Sequence, residues 1–168
     1  CILLSNNMSL IKNEKLLSLI LLFSVIAIIT AYFIQHILGH QPCNLCLIER
    51  IPYIFSIIII SANLFIKKFE KITLIILSLT FFTATLISLY HFGIEQGYFE
   101  ESLVCGLDSG INELSKEAIL NQLKKVPVSC KDVTFKVFGL SLATFNIFIS
   151  LMLSAITTKL FLTYEKNK

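Results

Sequence analysis

Cys43 and Cys46 lie three positions apart in Pro42-Cys43-Asn44-Leu45-Cys46, a C-x-x-C arrangement. A disulfide closing so small a ring constrains little chain and adds little stability, so the spacing suits thiol–disulfide exchange better than stapling. Cys105 and Cys130 are 25 positions apart. A bridge between them closes a long loop, worth several kcal/mol in the loop-entropy model, and tethering is its simplest use. The residues after Pro42 are expected to open a helix, which sets Cys43 and Cys46 at or near an N-terminus whose unpaired N–H groups favour thiolate. Arg50 follows Cys46 by four residues, so a continuous helix carries its guanidinium on the same face as that sulfur. Pro52 cannot donate to the Ile48 carbonyl and allows a later start or a kink instead. An interfacial anchor paired with Glu49 is the alternative for Arg50.

These residues sit in a chain that cannot be an ordinary soluble domain. Its 168 residues are 55% apolar and 15% charged, with mean hydropathy +0.80. The net charge of +3, without a Lys/Arg cluster on a polar helix, excludes a nucleic-acid binder. Four apolar runs, at about residues 16–34, 46–66, 72–90 and 137–158, are read as membrane-spanning helices. The fold class is therefore an all-α membrane protein, a four-transmembrane-helix bundle in one domain embedded in the lipid bilayer. Lys12 and Lys15 precede the first span, Lys67, Lys68 and Lys71 join the second to the third, and Lys159, Lys166 and Lys168 follow the fourth. By the positive-inside tendency both termini then face the cytoplasm.

The opposite side receives a short loop, about 35–45, and a long one, about 91–136, which together hold Cys43 at least and all of Cys105 and Cys130, with Cys46 at the boundary. Disulfides persist on that side, and two pairs account for the four cysteines. Within the long loop, Ile111, Leu114, Ala118, Ile119 and Leu123 predict an amphipathic helix over Ile111–Lys125. His91 ends the third span beside Tyr90 and is a candidate hydrogen-bond donor to the carbonyl of an apolar acceptor. His36, His40, Cys43 and Cys46 form H-x3-H-x2-C-x2-C, a spacing compatible with tetrahedral zinc. That reading leaves Cys105 and Cys130 unexplained and needs free thiols in an oxidising compartment, so no metal is expected. Cys1 opens the chain, and Met8 is read as the natural start; no small-residue cleavage site follows Ile34, which argues against a signal peptide.

Gln35-His36, Pro42-Cys43-Asn44-Leu45-Cys46 and Glu49-Arg50, then a lysine-bearing short loop, His91 and a second extracytoplasmic cysteine pair, resemble the DsbB family of disulfide bond formation proteins. The resemblance spans most of the chain. It implies a four-helix bundle of the bacterial inner membrane that reoxidises a DsbA-like periplasmic oxidase of thioredoxin fold and uses a membrane quinone, ubiquinone or menaquinone, as cofactor. By the same resemblance Cys43 and Cys46 pass electrons to quinone, Cys46 lying nearest the ring, and Arg50 contacts it, with His91 close by. Cys105 and Cys130 meet the partner, Cys105 forming the mixed disulfide. Nothing in the fourth span matches a quinone-lining position, and Cys1 has no counterpart. Two alternatives stand beside this one: a vitamin K epoxide reductase-like quinone reductase, disfavoured because the C-x-x-C precedes Cys105 and Cys130, and a non-enzymatic membrane zinc-binding or assembly protein.

Overall fold

A computed structural model describes residues 2–66, 69–100, 105, 129–131, 135–137 and 139–166, with side chains from Glu14 to Tyr164 of these. The order of elements is α1 (Ile2–His36), α2 (Asn44–Ile48), α3 (Ile51–Ile66), α4 (Glu70–Glu95), β1 (Lys136–Val137), β2 (Leu140–Ser141) and α5 (Leu142–Lys166). Among the described residues, four segments are long and apolar enough to cross a membrane: Glu14–His36, Asn44–Ile66, Glu70–Glu95 and Leu142–Tyr164. The expected all-α bundle of four is thus present. The amphipathic helix expected over Ile111–Lys125 lies outside the described residues.

Large apolar side chains point both ways in this bundle, as they do in a protein solvated by hydrocarbon. Leu22, Ile29, Ile58, Phe82, Leu86, Phe148 and Met152 are exposed. Leu17 and Ile20 of α1, Tyr53 and Ile60 of α3, Leu74, Leu77 and Phe81 of α4, and Leu153 and Leu160 of α5 form the core. Burying apolar area from lipid gains little, so small hydroxyl residues draw the helices together. Ser56 of α3 donates to Ser24 of α1 at 3.1 Å, Thr85 of α4 donates to Ser150 of α5 at 3.1 Å, and Ser78 and Thr158 join α4 to α5 at 2.7 Å.

Three local features shape the cysteine-bearing end of the bundle. Gly39 takes a positive φ of 73° just past α1, a conformation open to glycine, and the chain turns back there toward the cysteines. Pro52 lacks an N–H, and the second segment breaks before it: Glu49 N–H still reaches Leu45 O at 2.9 Å, while Arg50 N–H reaches only three residues back to Leu47 O at 3.2 Å. The kink foreseen at Pro52 is therefore realised between α2 and α3. The fourth helix starts at Leu142 rather than Val137, because Lys136–Val137 and Leu140–Ser141 pair antiparallel in a short hairpin whose turn contains Gly139 at φ 83°. The third runs on to Glu95, five residues past Tyr90.

Phe81 is fully buried where α3 and α4 meet, its ring edge-on to Tyr53 at 6.1 Å between centroids. Phe81→Ala is expected to cost about 3–5 kcal/mol in reversible unfolding from mixed micelles; a loss below about 1 kcal/mol would contradict the packing described.

Candidate redox site

Cys43 is the residue that caps α2. Its extended backbone (φ −71°, ψ 168°) turns Sγ back over the first turn, where it accepts the Cys46 N–H at 3.3 Å. The two sulfurs of the pair are 2.8 Å apart. Above Cys43 lies His91 of α4, with Nε2 3.5 Å from Cys43 Sγ. Its other nitrogen, Nδ1, donates to Glu49 Oε1 at 2.9 Å, and Glu49 Oε2 accepts from Asn146 Nδ2 of α5 at 3.1 Å. Asn146 also donates to Ser88 at 2.8 Å and accepts from the Tyr53 hydroxyl. Glu95, one turn beyond His91, places Oε1 3.7 Å from Nε2. A chain of polar groups thus runs from the Cys43 sulfur through α4 to α5, inside the bundle.

The hydrogen bond from Cys46, reinforced by the nearby imidazole and the Cys46 N–H, outweighs burial and holds the Cys43 thiol far below its ordinary value, at about 4. Of the two sulfurs, Cys43 is the one placed to hold negative charge, beside the His91 imidazole and the Cys46 N–H.

Cys105 and Cys130 form a disulfide. It packs with Cys43, Leu45 and Ile94 in one buried cluster, against which Cys46, Ile48 and Tyr90 also rest. The tether expected from sequence is present, and it sits directly beside the C-x-x-C pair rather than remote from it.

On the other flank of the pair lies a cavity of about 340 Å³, at the lower end of the size that takes small organic ligands. Its walls are apolar, from α1 (Phe23, Ala27, Ile34) and α5 (Phe145, Ile149), and Gln35, Cys46, Glu49, Arg50, Tyr53 and Asn146 bring polar atoms to it. Arg50 does not share a continuous helical face with Cys46. Past the break its Nη1 donates to Gln35 Oε1 at 2.7 Å, and its guanidinium lies over the Tyr32 ring at 5.3 Å. Nor does it pair with Glu49, which is committed to His91 and Asn146. Cys46 and Arg50 meet by lining the same cavity. His91, expected to face an apolar acceptor, is not among its lining residues and is turned to Cys43 instead.

The H-x3-H-x2-C-x2-C set does not converge. His36 stacks on Tyr32 and His40 tilts against Phe135, and the histidine that joins the two sulfurs is His91. Sequence reasoning missed Glu49, Glu95 and Asn146 as members of the site. Glu49 and Asn146 carried a usable signal, since a carboxylate and an amide within apolar spans are costly unless partnered.

A family model described as disulfide bond formation protein DsbB matches residues 13–160. An uncharacterized protein of Rickettsia prowazekii (strain Madrid E) is 33% identical over 156 residues, covering 91% of this chain and 90% of that protein. No solved structure matches.

Because its pKa is lowered, Cys43 should stay ionised through the acid range. In reduced protein carrying Cys105→Ser and Cys130→Ser, one thiolate absorbance is expected to persist below about pH 6 and vanish near pH 4, and His91→Ala should raise that midpoint. Loss of all thiolate signal by about pH 7 would contradict the assignment.

Proposed function

The chain belongs to the DsbB family of disulfide bond formation proteins, and from that premise we propose that this multi-pass membrane protein reoxidises a periplasmic DsbA-like oxidase and passes the electrons to a membrane quinone. One observation carries the proposal: the Cys43–Cys46 pair packs against the Cys105–Cys130 disulfide, and of its two members Cys46 also lines a cavity with Arg50. The pair thus stands between the second disulfide and the cavity.

In this reading the thioredoxin-fold dithiol attacks Cys105–Cys130, Cys105 taking the mixed disulfide. The thiols so released reduce Cys43–Cys46. Each transfer is a thiolate attack on a disulfide sulfur, with the displaced sulfur leaving as thiolate. Cys43 is suited to leave and to attack again, because His91 and the Cys46 N–H stabilise its negative charge.

The cavity fits a quinone head: apolar walls for the ring, and Arg50 held as a hydrogen-bond donor by Gln35 and Tyr32 beside Cys46. Bound there, ubiquinone or menaquinone supplies an acceptor for two electrons and two protons. Cys43 and Cys46 supply the electrons by closing their disulfide. The lysine-bearing ends then face the cytoplasm and the cysteine end the periplasm of a bacterial inner membrane.

Cys46→Ser is expected to leave the DsbA-like partner reduced in cells, read by thiol alkylation; normal reoxidation would remove Cys46 from the route. Arg50→His should raise the apparent KM for quinone about tenfold or more, as loss of a charged hydrogen bond implies, with both disulfides still forming. An unchanged KM would return Arg50 to a purely structural role.

A further inference from the structure

The reduced pair brings together more than a redox reaction needs. Cys43 Sγ, Cys46 Sγ and His91 Nε2 lie within 4.8 Å of one another. We propose that the reduced Cys43–Cys46 pair and His91 form an exchangeable site for a thiophilic divalent cation of the zinc class, which takes the pair out of the exchange cycle while bound.

The distances fit with one small adjustment. Zinc bonds of about 2.3 Å to sulfur and about 2.0–2.1 Å to nitrogen, at a tetrahedral angle, separate a sulfur and a nitrogen by about 3.5 Å. Cys43 Sγ and His91 Nε2 are 3.5 Å apart. Two sulfurs on one such ion stand about 3.8 Å apart. Here they are at 2.8 Å, and rotation of the Cys46 side chain supplies the missing ångström.

The surroundings are those of a ligand set rather than of three residues met by chance. A metal-bound imidazole is usually oriented by a carboxylate on its other nitrogen, and His91 Nδ1 donates to Glu49 at 2.9 Å. Cys43 Sγ already accepts the Cys46 N–H, which favours a thiolate ligand. A carboxylate stands close by as a candidate fourth donor: Glu95 Oε1 is 3.7 Å from Nε2, and Glu95 Oε2 is buried with no hydrogen-bond partner among the described residues. Three protein ligands with a fourth place still to be filled characterise sites that exchange metal and water, unlike closed structural sites.

Binding changes no oxidation state. The ion replaces whatever protons the two thiols and His91 Nε2 hold, these pass to solvent, and neither sulfur can attack or be attacked until the ion leaves. The dithiol arises whenever Cys43–Cys46 is reduced, so the site exists only in that half of the proposed cycle. The binding stands on geometry alone, whereas its effect on turnover rests on the oxidase reading.

The test is an anaerobic titration of reduced, quinone-free protein carrying Cys105→Ser and Cys130→Ser with Co2+. The expected result is one equivalent bound with sulfur-to-cobalt charge-transfer and tetrahedral d–d absorption, displaced by Zn2+ and absent once Cys43–Cys46 is oxidised. Glu49→Gln should weaken binding about 10- to 100-fold, and His91→Ala should abolish the tetrahedral spectrum. The same titration of fully reduced wild type and its His91→Ala variant decides the question if the loop substitutions impair folding. No thiolate–cobalt absorption, or a spectrum indifferent to His91→Ala, overturns the site. If cobalt binding fails while quinone reduction persists, the metal site falls and the oxidase stands; the reverse pattern sinks the oxidase and leaves the site.

Discussion

The geometry of the redox end follows from one break in one helix. Pro52 has no N–H to give the Ile48 carbonyl, and the turn before it tightens so that Arg50 N–H reaches Leu47. Two neighbouring charged residues are thereby sent to different partners. Glu49 meets His91 and Asn146 within the bundle, while Arg50 meets Gln35 and Tyr32 of the first helix. Cys46, one turn earlier, is left lining the cavity with both.

A buried carboxylate is expensive in a bundle surrounded by hydrocarbon, and Glu49 is only 8% exposed. The imidazole and the amide offset that cost, and in doing so they tie α2 to α4 and α5. Removing either partner leaves a buried carboxyl oxygen without its hydrogen bond, which costs the full desolvation of that group. The same contact orients His91 Nε2 toward Cys43, so the interaction that holds three helices in register also sets the chemistry of the thiolate.

Much of this was legible in the chain. Apolar run length marks the four spans, since a helix in lipid satisfies its backbone internally and shows itself by hydropathy alone. Cysteine spacing grouped Cys43 with Cys46 and Cys105 with Cys130, and the second pair is joined as a disulfide. What failed to show were positions settled by contacts across the bundle. Glu49 and Asn146 are 97 residues apart and no periodicity links them. His36 and His40 read as metal-ligand neighbours of the C-x-x-C, yet His36 stacks on Tyr32 one turn earlier in its own helix, His40 tilts against Phe135, and His91 arrives from another helix. The fourth helix begins later than its apolar run because a hairpin around Gly139 uses the first residues as strands.

The proposed relay runs from the Cys105–Cys130 pair through Cys43–Cys46 to an acceptor in the membrane. Rapid anaerobic mixing of the purified protein with quinone and a reduced thioredoxin-fold partner tests it most directly, following quinone absorbance. The account predicts one quinone reduced per partner disulfide formed, and none when Cys43 and Cys46 are both serine. Quinone reduction that survives that double substitution would contradict it.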